Sequence, residues 1–183
     1  MNATPSITDT IMTMINQSIQ VLTKPSVATF EQYESKGTLR DALIYVALAA
    51  VLTGLLGLPG GIGGFIRGVL VTLIGFFVFV YLVHWFGRQQ GGTGTLDQVG
   101  YTFALFWAPL AVLFGILTLI LLVTIIGIFL IPLVAIAAIV ANVYFAYLAV
   151  QSSLNLRESG KIWLTLIVAF VGTLIVNLIL SRF

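Results

Sequence analysis

From Gln98 to Leu156 the chain runs for 59 residues without Asp, Glu, Lys, Arg or His. One helix crosses a bilayer with about 20 apolar residues. A run of this length therefore holds two crossings and a turn. Backbone groups in lipid must be satisfied internally, which leaves helices or closed barrels as spanning structures. The alternation of polar and apolar residues that a barrel needs is absent, so the pattern predicts helices. Five spans can be placed, at about 42–58, 65–86, 99–121, 129–151 and 162–180. Pro59-Gly60-Gly61 closes the first, which is short, and the turn between the third and fourth falls near Thr124 to Gly127.

The first 40 residues follow another pattern. Seven of the chain's 14 charges lie at or before Asp41. Placed on a helix at roughly 100° per residue, Ile7, Ile11, Met12, Met14, Ile15, Ile19, Val21 and Leu22 share one side. Asp9, Thr10, Thr13, Asn16, Gln17, Gln20 and Lys24 share the other, and only Ser18 intrudes on the apolar side. Ser6 and Asp9 have the spacing of a capping box, and Pro25 ends the helix by driving Lys24 out of helical geometry. Two readings fit this amphipathic helix. Ile7, Ile11, Ile15 and Leu22 can enter the membrane interface, or the helix can dock on the membrane bundle. A second short helix is expected over Ser26 to Ser35, ended by Gly37, with Thr38 and Asp41 capping the first span.

The expected organisation is thus an all-α membrane protein: residues 1–40 form a cytoplasmic or interfacial amphipathic segment, and residues 41–183 form a five-helix transmembrane domain. Composition agrees. The chain is 60% hydrophobic and 8% charged, with a mean hydropathy of +1.13; a soluble domain carries about 25% charged residues. Lys24, Lys36, Arg40, Arg88, Arg157 and Lys161 fall on one side of a five-span layout, against Arg67 and Arg182 on the other. The positive-inside rule then places the N-terminus in the cytoplasm and the C-terminus outside. Trp85 and Trp163 fall at the cytoplasmic interface, where aromatic belts form. A net charge of +2 gives no basis for a nucleic-acid partner.

Chemistry is sparse. There is no cysteine, and His84 is the single histidine, so the sequence offers neither thiolate sites nor a metal-ligand set. No cofactor is implied. Gly60-Gly61-Ile62-Gly63-Gly64 lacks the lysine of a phosphate-binding loop. Asp97 is the one acid close to a span and is expected to cap the third. Within the spans the polar residues are amides and hydroxyls, Asn142 and Asn177 among them, which more often bond between helices than bind substrate. Gly57, Gly60, Gly61, Gly64 and Gly68 make overlapping small-residue pairs, and Ala135, Ala138, Ala141, Asn142, Ala146 and Ala149 make a small-residue strip on the fourth span. These could hold one bundle together or join protomers. Pro109 and Pro132 interrupt the third and fourth spans.

Several pieces in order resemble the Ypt/Rab-interacting (Yip) family: Lys24-Pro25-Ser26 with Phe30 before the first span, Gly100-Tyr101 opening the third with Pro109 inside it, and Leu154-Asn155-Leu156-Arg157-Glu158 before the last. The resemblance covers about Lys24 to the C-terminus. It implies a cytoplasmic N-terminal segment, five spans and a short C-terminus. Gly100, Tyr101 and Pro109 become structural or partner-contact candidates. Eukaryotic members are implicated in vesicle trafficking and bind prenylated Rab GTPases. This chain lacks their acidic Asp-Leu-Tyr-Gly-type motif and is more similar to prokaryotic members, so GTPase binding is not carried over. The function expected is non-enzymatic, organising membrane or recruiting partners, with the bilayer, a second copy or another membrane protein as partner. The alternative is an oligomeric channel or small-solute transporter.

Overall fold

The computed structural model describes residues 6–55 and 61–180, and every regular element among them is a helix. In chain order these are α1 (Ile7–Thr23), α2 (Val27–Glu31), α3 (Leu39–Gly54), α4 (Gly61–Gln89), α5 (Leu96–Leu122), α6 (Ile125–Ser153) and α7 (Ser159–Leu180). Four of them are long and apolar enough to cross a membrane: α4, α5, α6 from Gly127, and α7. The expected first span corresponds to α3, whose 16 described residues fall short of that length. The last residues of that expected span lie outside the described residues.

Helix starts follow local capping chemistry. Ser6, Thr38 and Thr95 each accept a hydrogen bond from the third residue of the following helix, and the residue there bonds back to the cap. Such reciprocal boxes satisfy two of the backbone donors a helix start leaves open. α5 therefore begins at Leu96, three residues before the expected boundary, and its cap is Thr95 with Gln98 rather than Asp97. Asp97 serves a different helix: its carboxylate accepts 2.8 Å from the Leu39 N–H, at the first residue of α3. The second short helix is also smaller than expected. Ser26 caps it as the sequence suggests, but it ends at Glu31 and hydrogen-bonded turns carry the chain on to Lys36.

α3 packs against both α4 and α5; α7 packs on α4, and α6 on α5. The glycine contact that brings α3 close to α4 is Gly54 against Gly68: a Cβ on Gly68 would meet the Gly54 Cα at 3.7 Å. Gly61 and Gly63, by contrast, face open space, and Gly57 and Gly60 lie outside the described residues. Of the alanine strip on α6, Ala146 and Ala149 are buried and Ala135 is exposed. α6 is thus packed at its C-terminal end and bare toward its start. The bare surfaces of α4 to α7 are Leu, Ile, Val and Phe, among them Phe129 and Phe170. Such surface is stable facing lipid, not water.

One end of the bundle gathers the N-termini of α3, α5 and α7 and the C-termini of α4 and α6. The connections there are tied together: Thr93 N–H donates to the Leu154 carbonyl at 3.0 Å, and the Asn155 amide donates to Thr93 Oγ1 at 3.0 Å. Gly94 makes this possible, because a Cβ there would collide with the Ser153 carbonyl. α1 and α2 lie across this same end, against α3, α5 and α6.

Candidate functional site

The tied end is where polar side chains converge. Three tyrosine hydroxyls from three different segments donate to one short stretch of α1. Tyr101 of α5 reaches Gln17 Oε1 at 2.8 Å. Tyr45 of α3 reaches Ser18 Oγ at 3.2 Å. Tyr33, in the turn after α2, reaches Gln20 Oε1 at 2.7 Å. All three rings are buried, and a buried tyrosine normally finds a partner for its hydroxyl. Gly37 admits the Tyr101 ring, which occupies the space a Cβ there would take. Gly100, next along α5, lies against Leu39 and Val80.

Below this clamp sits Phe30 of α2. It is fully buried, with its ring edge-on to Phe106 at 6.2 Å and to Phe145 at 6.5 Å between centroids. Those two rings stack on each other at 5.7 Å. Edge-to-face and offset geometries at these separations add to the area each ring buries. Phe30 thus anchors α2 to α5 and α6 together. Carboxylates fasten the rim. Ser152 Oγ donates to Glu34 Oε2 at 2.6 Å, and Arg157 lies 3.7 Å from Glu31 across an exposed gap. Burial raises the Glu34 carboxyl above its usual range; the Ser152 bond pulls it partly back, and the nearby Glu31 charge pushes it up again.

α1 docks on an unexpected face. The buried residues are Thr10, Met14, Ser18 and Val21. That line is rotated by about a quarter turn from the centre of the apolar side, at roughly 100° per residue. Ser18, out of place on an apolar face, is there to meet Tyr45. The rotation leaves apolar residues uncovered. Ile7, Met12 and Ile19 are 59%, 55% and 54% exposed, and Ile11, Ile15 and Leu22 are half-buried beside them.

The other residues singled out from sequence are scattered. Pro109 lies inside α5 and Pro132 inside α6, and both helices run through them. Asn142 donates to the Ala138 carbonyl of its own helix at 2.8 Å. Asn177, on α7, lines a cavity between α4, α5 and α7, and its Oδ1 is buried without a partner. Gly100 and Tyr101 alone belong to the converging end. Tyr33, Tyr45 and Glu34 were not foreseen. Tyr45, as a hydroxyl inside an apolar helix, was the signal available for its part.

Among the described residues no three His, Cys, Asp or Glu side chains group as a metal site. A family model, the Yip1 domain, matches residues 19–179. No curated protein and no solved structure matches the chain. The matched range begins within α1, two residues after Gln17, and ends within α7, taking in the three clamp tyrosines, the Phe30 anchor and the apolar helices. The chain is an integral membrane protein of the Yip1 domain family.

Proposed function

We propose that the protein is a non-enzymatic membrane organiser, which uses the α1 face left open by docking to act on the bilayer or on a partner at its surface. The observation that carries this is the division of α1's apolar side. A helix that served only to cap the bundle would bury its most hydrophobic stripe. Here three tyrosines hold α1 so that Ile7, Met12 and Ile19 point away from the bundle. The helix is fixed at the level where membrane meets water, with an apolar edge suited to lying among headgroups and acyl chains.

The layout supports five spans. α3 starts at the tied end, beside Asp97, and α4 ends there. The 29 residues of α4 extend about 43 Å at 1.5 Å per residue. In this reading the chain has reached the opposite end by Gly61, with α3 as the element that takes it there. At about 24 Å α3 is short for a hydrocarbon core of about 30 Å. In this reading residues 1–40 are a docked cap and residues 41–183 the membrane domain. The cap end, with six of the eight cations, faces the cytoplasm.

A transporter or channel reading has less behind it. Coupled transport favours ionisable groups within the membrane, whereas Asn142 is used by its own helix.

The test is reconstitution of the full chain into phosphatidylethanolamine–phosphatidylglycerol liposomes. Vesicle diameter and tubulation are read by electron cryo-microscopy. Wild-type protein should shift the vesicle population, and the combined variant Ile7→Asp, Met12→Asp, Ile19→Asp should not. The variant should melt like wild type, since these side chains make little contact. Remodelling that persists in the variant would assign the effect to the spans and remove α1 from the function.

A further inference from the structure

A cavity of about 360 Å³ lies between α4, α5 and α7. Val71, Phe76, Phe79, Phe103 and Trp107 make most of its wall, and Thr72, Thr173 and Asn177 supply polar groups. Its size and character match small-molecule sites, which are mostly apolar with a few placed polar groups and often lie between bundle helices.

Asn177 is the unusual member. Its Oδ1 and Thr102 Oγ1 are the two buried side-chain polar atoms without a partner among the described residues. Native structures leave few such atoms, and each has a cost. Thr173, one turn earlier, bonds back to the Ala169 carbonyl. Asn177 makes no such bond. Opposite it is Gly75, where a Cβ would lie 3.7 Å from both ends of the amide. The space in front of the amide is therefore kept open by a residue that has no side chain.

Depth narrows the ligand. Asn177 lies opposite Gly75, midway along α4, farther from the capped end than the aromatic wall. The aromatic wall is deeper: Phe103 and Trp107 lie within the first half of α5, which starts at the capped end. A molecule entering from the far leaflet would thus pass the amide before it reaches these aromatic rings.

From this we infer that the cavity binds a membrane amphiphile, an apolar chain carrying one hydroxyl, whose hydroxyl meets the Asn177 amide. A hydroxyl both donates and accepts, so it can answer either end of an amide. A charged headgroup has no counter-ion among the cavity residues. The assignment is independent of the role given to α1.

The probe is a hexadecanol bearing a mid-chain diazirine, compared with its methyl ether, in liposomes holding the full-length protein. After photolysis, labelled residues are mapped by mass spectrometry. The alcohol should label residues 71–79, 103–107 and 173–177 about threefold or more above the ether, as a single hydrogen bond allows. Gly75→Leu should reduce labelling there to the level of lipid-facing residues on α6. Asn177→Leu removes no hydrogen bond and should fold; it should keep the chain in place and erase the alcohol-over-ether preference. Equal labelling by the two probes in wild type, or labelling spread evenly over the lipid-facing helices, overturns the proposal. So does a preference for the alcohol that survives Asn177→Leu.

Discussion

Tyr101 spends its hydroxyl on Gln17 and its ring on the gap at Gly37, so two substitutions separate the two contributions. Tyr101→Phe removes the hydrogen bond and leaves the ring; the loss should be about 0.5–1.5 kcal/mol. It should appear in hydrogen exchange as faster exchange of α1 amides with the spans unchanged. Gly37→Ala places a methyl group where the ring stands and should cost more, because a buried ring has no free space to move into. Glu34 gives a pH dependence. Its carboxyl is raised in the fold by burial, so the folded state disfavours the charged form relative to the unfolded chain. Stability from this group is greatest below the unfolded value near 4.5 and falls as pH rises through the higher folded value. The groups around it are Ser152, Glu31 and, beyond Glu31, Arg157. Melting of wild type from pH 4.5 to 8 should show this loss, and Glu34→Gln should flatten it. A wild-type slope that persists in the glutamine variant would assign the dependence to another group. From sequence, Tyr101 was visible as a candidate, yet Gln17 read as solvated surface. Nothing in a single chain tells a polar residue that faces water from one that faces a tyrosine 84 positions away.

At the scale of elements, α2 is five residues long and cannot be stable through its own helix bonds. Phe30 holds it. Phe30→Ala should cost about 3–5 kcal/mol, the usual range for a large buried aromatic. Its distinguishing sign would be release of residues 26–36 to limited proteolysis while α5 and α6 remain protected. Thr38→Ala should weaken α3 by about 1 kcal/mol, as loss of an N-cap does. The effect stays modest because the Leu39 N–H keeps its bond to Asp97. The helices themselves were readable, since charge-free apolar runs and capping residues are local signals. Their ends were less so: α4, α6 and α7 begin three or four residues before the expected starts, in α4 and α7 because small and polar residues continue the helix past its hydrophobic stretch, and in α6 because Thr124 caps it ahead of Gly127. The face on which α1 docks was not readable either. The spacing of Ile7, Ile11, Ile15 and Leu22 marks the most apolar side, but the tyrosine clamp holds a neighbouring one.

At the scale of the whole molecule, the tied end decides on which side of the membrane each connection lies. The tied end contains α1, the Gly91–Thr95 connection and the Leu154–Glu158 connection, joined by hydrogen bonds and the Glu31–Arg157 pair. They must share a side of the membrane whatever α3 does. Lys24, Arg88, Arg157 and Lys161 accompany them, so that side should be cytoplasmic. Ile62 and Gly63, at the start of α4, and Val123, between α5 and α6, should be outside. The chain has no cysteine, which allows single cysteines at Lys24, Ile62, Val123 and Arg157 to be read without background. Applied to intact cells, a membrane-impermeant maleimide should label Ile62→Cys and Val123→Cys and spare Lys24→Cys and Arg157→Cys until the membrane is opened. Protection of all but Val123→Cys would mean that α3 and α4 both turn back without crossing and that α5, α6 and α7 alone span. Labelling of Lys24→Cys and Arg157→Cys alone would invert the molecule, place the α1 edge on the outer surface, and direct any search for partners there.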